Sequence, residues 1–192
     1  MIEQLIEDDK ALFLYLNHLG TETWDGLWLL ITNKWTFVPL YAILLFLIQR
    51  KYGWKSLLIT VVVIALMITF TDQITNVFKR GFMRPRPCGE PSIMDQVRFI
   101  AVRCGKYGFF SGHSSNSMAA AIFAGLLLKP YYKKLIYILM IWSFIVAYSR
   151  IYVGVHYPLD IICGLFFGAF AGWLFYQINQ LLVKRLSGWI LS

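Results

Sequence analysis

The 192-residue sequence predicts an all-α fold, an integral-membrane helical bundle of about five transmembrane helices plus an N-terminal interfacial helix. Three observations carry that prediction. Hydrophobic residues make up 58% of the chain and charged residues only 15%, and the mean hydropathy of +0.61 lies well above that of an ordinary soluble domain. The apolar residues come in separated runs, with basic residues between them. The chain is too short for two independent cores, so residues 1–192 are expected to form one membrane-embedded domain.

Residues 2–19 place Ile2, Leu5, Ile6, Leu12, Phe13 and Leu16 at roughly helical spacing among acids. That stretch is too short and too charged to cross ~30 Å of hydrocarbon, so it is expected to lie in the interface. Residues 24–48 are mostly apolar but interrupted by Asn33, Lys34 and Pro39, which predicts an interfacial entry followed by a bent first span. Residues 57–78, 114–128, 135–149 and 159–182 supply the remaining four runs. The third and fourth are short for a crossing of about 20 residues, so they are expected to extend into their flanks or tilt little.

Basic residues in the short loops orient the bundle. Arg50, Lys51 and Lys55, then Lys129, Lys133 and Lys134, then Lys184 and Arg185 fall on one side, assigned to the cytoplasm together with the C-terminus. The acidic N-terminus, the 79–112 connection and the turn around His156 then share the opposite face, facing the periplasm if the membrane is a bacterial inner membrane. The first twenty residues carry Glu3, Glu7, Asp8 and Asp9 and no basic start, so they do not read as a cleavable signal peptide.

The net charge of +8 does not indicate nucleic acid, because the basic residues form no aromatic-interleaved polar surface. Lys79, Arg80, Arg84, Arg86, Arg98, Arg103 and Lys106 lie on the outer face, against the positive-inside tendency. Binding an anionic headgroup explains them; plain anchoring to lipid headgroups is the simpler alternative.

Three segments carry candidate chemistry. The first runs from Lys79 to Arg86 and Pro87 at the end of the second span, where prolines stop the helix and arginine offers a planar fork of donors to phosphate oxygens. Upstream, Asp72, Asn76 and Lys79 fall at i, i+4 and i+7 on one helical stripe. A carboxylate at Asp72 is costly facing lipid, so it is expected to face the bundle and to orient Lys79.

The second segment, Ser111-Gly112-His113, opens the third span. Glycine permits close backbone approach, serine caps a helix whose free N–H groups favour an anion, and histidine there can donate a proton to a leaving oxygen. The third joins Ser149 and Arg150 to His156 and Asp160 across the turn from the fourth span to the fifth. Neutral imidazole can attack phosphorus, and a nearby carboxylate can hold its tautomer and stabilise the charge that develops. With the spans as assigned, all three segments reach the same face of the bilayer although they extend from position 79 to position 160.

These residues resemble the type 2 phosphatidic acid phosphatase family, whose motifs read K-x6-R-P, P-S-G-H and S-R-x5-H-x3-D. The resemblance implies a lipid phosphate phosphatase acting through a phosphohistidine. His156 is the implied nucleophile, Asp160 its orienting partner, and His113 the acid that protonates the leaving group and later activates water. Lys79, Arg86, Arg150, Ser111 and the Gly112 backbone N–H would cradle the phosphoryl oxygens, with no metal and no cofactor. The implied partners are the bilayer and a lipid phosphate: a polyprenyl diphosphate, phosphatidylglycerol phosphate, phosphatidic acid or a lipid A phosphate. Phe110 stands where the family usually has proline, a change expected to reshape the loop rather than the chemistry.

Two rival readings share these residues. Vanadium-dependent haloperoxidases resemble the family in their oxyanion pocket, and a non-catalytic lipid-phosphate binding or transport protein would use the same basic face. Elsewhere, Cys88 and Cys104 share the outer connection, where an oxidising compartment would permit a disulfide or leave two thiols. Gly164, Gly168 and Gly172 give a smooth stripe for close helix packing, expected within the monomer before any dimer. His18 has no partner motif.

Overall fold

The computed structural model describes residues 1–189, with side chains through 186. Six helices follow in order: α1 (Ile2–His18), α2 (Glu22–Thr32), α3 (Val38–Phe82), α4 (Gly112–Leu128), α5 (Leu135–Tyr152) and α6 (Pro158–Trp189). Strands are absent among the described residues, as the composition predicts. Lys34–Phe82, Leu135–Tyr152 and Pro158–Leu186 are each long and apolar enough to cross a membrane. Helix α3 breaks at Gly53, whose φ of 78° excludes most side chains, so its two arms together with α4, α5 and α6 make the expected five rods.

The bend expected within the first span falls before it. Helix α2 stops at Asn33, whose side chain accepts a hydrogen bond from the Trp35 N–H and starts a short 3₁₀ turn, Lys34–Phe37. Pro39 then occupies the first turn of α3, where its missing N–H costs nothing, so it starts that helix instead of kinking it.

Helix α4 is the axis of the bundle, buried along most of its length against α5 and α6. The glycine stripe of α6 explains how closely it approaches. A Cβ on Gly164 would lie 2.7 Å from the Ser111 carbonyl and one on Gly172 2.5 Å from that of Ala119; Gly168 meets the Ser115 carbonyl in the same way. The stripe therefore packs inside the monomer.

Polar pairs fix the register of these close contacts. Ser117 and Ser143 hydroxyls meet at 2.8 Å between α4 and α5, Thr60 donates to Asn179 at 3.1 Å between α3 and α6, and Thr71 donates to Asn116 at 2.5 Å between α3 and α4. Such bonds contribute only about 0.6 kcal/mol apiece within a bilayer, so they choose the register while apolar packing supplies the cohesion. The main core joins Leu44, Ile48, Val63, Met67, Met118, Phe123 and Leu128.

Helix α1 packs on the outer ends of α5 and α6 through an unexpected stripe. Its buried residues are Asp9, Phe13 and Asn17, whereas Ile2, Leu5, Ile6 and Leu12 face outward, as an interfacial helix in contact with lipid requires. The Asn17 amide donates to the carbonyls of Arg98, Ile151 and Tyr152, and its oxygen accepts from the Arg98 N–H at 2.8 Å. Asp25 of α2 pairs with Arg98 at 2.5 Å, so both N-terminal helices are tied to the outer connection.

That connection, residues 83–111, is an ordered cover rather than a loose loop. Met83 ends α3 in the left-handed region, Pro85 bridges to Tyr107, and the Gly108 N–H donates to the Arg84 carbonyl at 3.0 Å. Cys88 and Cys104 are joined as a disulfide, which closes this segment upon itself.

Candidate active site

Asp160 lies two residues into α6, fully buried, where the helix N-terminus favours a negative charge. Its Oδ2 accepts the Tyr157 N–H at 3.1 Å and lies 3.2 Å from Nδ1 of His156, while its Oδ1 accepts from Nη1 of Arg84 at 3.0 Å. His156 occupies the turn between α5 and α6 and is 2% exposed. Burial first, then the cations Arg86, Arg150, Lys79 and Arg84, hold its imidazole well below the ordinary histidine range. One carboxylate, itself shared with Arg84, does not offset those effects, so the ring is neutral. With Nδ1–H turned toward Asp160, the lone pair resides on Nε2.

The cations arrive from three elements. Lys79, in the last turn of α3, brings its ammonium beside the N-terminus of α4: a Cβ built on Gly112 would lie 3.9 Å from Nζ. Arg86 is anchored by Nε donating to the Tyr107 carbonyl at 3.0 Å, and burial lowers its pKa against the opposing pull of Asp160. Arg150, near the end of α5, donates through Nη1 to the Thr32 hydroxyl, and its Nε is buried without a hydrogen-bond partner. A donor fork held on one side and open on the other suits an incoming oxyanion.

Ser111 caps α4, its Oγ accepting the Ser114 N–H at 3.4 Å and its own N–H donating to the Asp160 carbonyl at 3.0 Å. It thereby joins the second and third segments directly. His113, half-buried in the first turn of α4, lies within electrostatic reach of His156, Arg150 and Lys79, and its ring meets the backbone carbonyl of Thr32. Asp72 accepts from Nδ2 of Asn116 at 2.8 Å, a contact between α3 and α4, and Asn76 is exposed on α3.

Four neighbours of the site escaped the sequence reading. Arg84 stands in the Arg-Pro-Arg-Pro run and was legible only as one more outer-face cation, yet it bridges Asp160 and Asp9. Asp9 was one acid among several, and Thr32 carried no signal. Gly108 is a steric requirement: a Cβ there would lie 2.9 Å from Asp160 Oδ2 and 3.6 Å from His156 Nδ1.

A buried His–Asp pair facing lysine and arginines at the mouth of a helical bundle is the arrangement the three motifs imply. The family model described as the PAP2 superfamily matches residues 56–184. The chain belongs to the PAP2 superfamily. The match spans all three motif segments, so the resemblance read from Lys79, His113 and His156 is borne out at the level of the family. This PAP2 chain is 40% identical to the lipid A 4'-phosphatase of Bacteroides thetaiotaomicron over 191 residues, covering 97% of this chain and 84% of that protein. It is 36% identical to the lipid A 4'-phosphatase of Porphyromonas gingivalis, over 97% of this chain and 79% of that one. Its fold is that of the transmembrane PAP2 type phosphatidylglycerolphosphate phosphatase from Bacillus subtilis, with a TM-score of 0.74, 19% identity and coverage of 92% and 87% of the two chains. The expected class, an all-helical integral-membrane protein, stands.

Proposed function

We propose that this PAP2 protein removes the 4'-phosphate of lipid A, or of a lipid sharing its phosphorylated sugar headgroup, at the outer face of a bacterial inner membrane. The chain is a lipid phosphatase, and two relatives of nearly its full extent, both called lipid A 4'-phosphatases, favour that substrate within the class. The observation that carries the chemistry is the neutral His156, oriented by Asp160 and ringed by Arg86, Arg150 and Lys79.

In this reading Nε2 of His156 attacks phosphorus in line, and the P–O bond to the sugar breaks as the P–N bond forms. His113 gives its proton to the departing alkoxide. The imidazolium that develops at His156 keeps its Nδ1–H on Asp160, which stabilises the new charge. Lys79, Arg86, Arg150 and the N-terminus of α4 at Gly112 hold the three equatorial oxygens, where charge spreads in the transition state. Water, activated by His113, then displaces phosphate from the phosphohistidine.

The orientation rests on charge. Lys129, Lys133 and Lys134 sit between α4 and α5, and Arg50, Lys51 and Lys55 flank the break at Gly53, all at the end of the bundle remote from His156. The Cys88–Cys104 disulfide on the active-site side suits an oxidising compartment, as the periplasm is.

The test is phosphate release by purified protein from lipid A, phosphatidylglycerol phosphate, phosphatidic acid and a polyprenyl diphosphate in the same detergent, with mass spectrometry locating the phosphate lost. Preferential loss of the 4'-phosphate is expected. Preference for a polyprenyl diphosphate would overturn the substrate, and full turnover by His156→Ala would overturn the mechanism.

A further inference from the structure

The two N-terminal helices touch the candidate site at two points, through the buried carboxylate of Asp9 and through the half-buried Thr32 at the end of α2. Asp9 of α1 is 4% exposed. Its Oδ2 accepts from Nη2 of Arg84 at 2.6 Å and its Oδ1 accepts the Leu159 N–H, at the start of α6, at 2.9 Å. Burying a carboxylate where an apolar side chain would fit is costly unless both oxygens are satisfied, and here both are. Arg84 is thus divided between two carboxylates, Asp9 and Asp160, with its guanidinium 4.1 Å from the centre of the Tyr157 ring. On α2, the final residue Thr32 accepts from Arg150 with its hydroxyl and faces His113 with its carbonyl.

We infer that α1 and α2 complete the active site from outside the motif-bearing bundle, Asp9 holding Asp160 in place through Arg84, and Thr32 holding Arg150 and His113. Asp9 and Thr32 are positioning residues in this scheme. None of the three motif segments contains them, nor does the matched stretch 56–184, whereas every group they hold lies within that stretch.

The geometry explains why each contact matters. Asp160 has two oxygens and three neighbours: His156 and the Tyr157 N–H on Oδ2, Arg84 on Oδ1. Arg84 determines which oxygen turns toward His156, and Asp9 determines where Arg84 stands. Without Asp9 the guanidinium is free to swing wholly onto Asp160 and draw Oδ2 away from the ring. Thr32 occupies Nη1 of Arg150, whose buried Nε has no hydrogen-bond partner, and the backbone carbonyl of the same residue meets the ring assigned as the proton donor. The four groups bear on the transition state rather than on the lipid chain, so their loss is felt in kcat.

This inference rests on His156 and His113 carrying the reaction, and the experiment separates the two failures. Asp9→Asn, Thr32→Val, Thr32→Ser and the outward-facing control Asp8→Asn are purified alongside His156→Ala, with Tm recorded for each. Steady-state release of phosphate from the preferred lipid gives kcat and KM. Asp9→Asn and Thr32→Val are expected to lose tenfold or more in kcat with KM changed by less than twofold, while Thr32→Ser, which keeps the hydroxyl, and Asp8→Asn stay within twofold of wild type. Wild-type kcat in folded Asp9→Asn and Thr32→Val overturns the inference, as does a loss confined to KM or a lowered Tm with unchanged kcat. If Asp9→Asn does not fold, the contrast between Thr32→Val and Thr32→Ser decides alone. An inactive His156→Ala beside unaffected Asp9 and Thr32 variants defeats only this inference; an active His156→Ala defeats the reading beneath it.

Discussion

Asp160 lies four residues beyond His156 with its Oδ2 3.2 Å from Nδ1; His156 stands in the turn that leads into α6, and Asp160 in the first turn of that helix. The pair is buried together, 0% and 2% exposed in the order Asp160, His156, so water does not compete for the contact. A carboxylate in that position controls which nitrogen of the ring carries the proton.

Asp160→Asn is therefore expected to reduce kcat by about 10²- to 10⁴-fold, as loss of the orienting carboxylate does in a histidine-assisted hydrolase. The amide is free to present N–H to Nδ1, which turns the proton onto Nε2 and removes the nucleophilic lone pair. Single-turnover phosphate release measures the effect. Activity within threefold of wild type would show that the carboxylate does not set the tautomer.

Acid is expected to act on His156 only well below the usual imidazole range. Its folded-state pKa is lowered by burial and by Arg86, Arg150, Lys79 and Arg84, whereas the unfolded chain binds a proton near the ordinary histidine value of 6.5. The unfolded state takes up the proton first, so this contribution to stability is complete above pH 6.5 and is lost as pH falls below it. Tm should decline from that point downward, and the acid limb of kcat/KM assigned to His156 should lie below it. An acid limb at or above pH 6.5 that persists in the residual activity of His113→Ala would contradict the lowered pKa.

Gly108→Ala should impair chemistry while leaving the bundle folded. The new methyl would sit 2.9 Å from Asp160 Oδ2 and 3.3 Å from Arg86 Cγ, and one of the two must move. Misplacement of a catalytic group by about 1 Å costs on the order of 10²-fold, so a loss of about tenfold to hundredfold in kcat is expected. A variant with wild-type kcat and Tm would mean that the loop yields instead of the site.

Gly168→Ala and Gly26→Ala should move stability in opposite directions. The first forces a methyl into the Ser115 carbonyl at the α4–α6 contact and is expected to destabilise by about 1–3 kcal/mol. The second adds a methyl to an exposed turn of α2 with nothing within 4 Å and should stabilise by up to ~1 kcal/mol. Thermal or denaturant unfolding in detergent reads both. Equal effects would remove the argument that α6 requires its glycine stripe for close approach.

Much of this protein was readable along the chain because the relevant signals are local. Apolar runs of membrane-crossing length depend only on consecutive residues, and the four-residue spacing of His156 and Asp160 is written in the chain itself. The serine that caps α4 and the glycine stripe of α6 belong to the same kind. Chain topology then implied that Lys79, Ser111, His113, Arg150 and His156 meet at one face, since no crossing separates the first motif from the second and two crossings separate the second from the third.

Only the tertiary structure decided how that meeting is enforced. Arg84 reaches Asp9 across 75 residues and Arg150 reaches Thr32 across 118, and no periodicity or spacing records pairings of that range. The buried stripe of α1 was likewise hidden, because Asp9 and Asn17 are polar side chains that enter the interior only where partners from α5, α6 and the outer connection satisfy them. The sequence by itself pointed to the groups assigned here to the chemistry and to the rods that hold them. The fold determined which side chains restrain those groups, since hydrogen-bond complementarity between distant segments exists only once the segments are brought together.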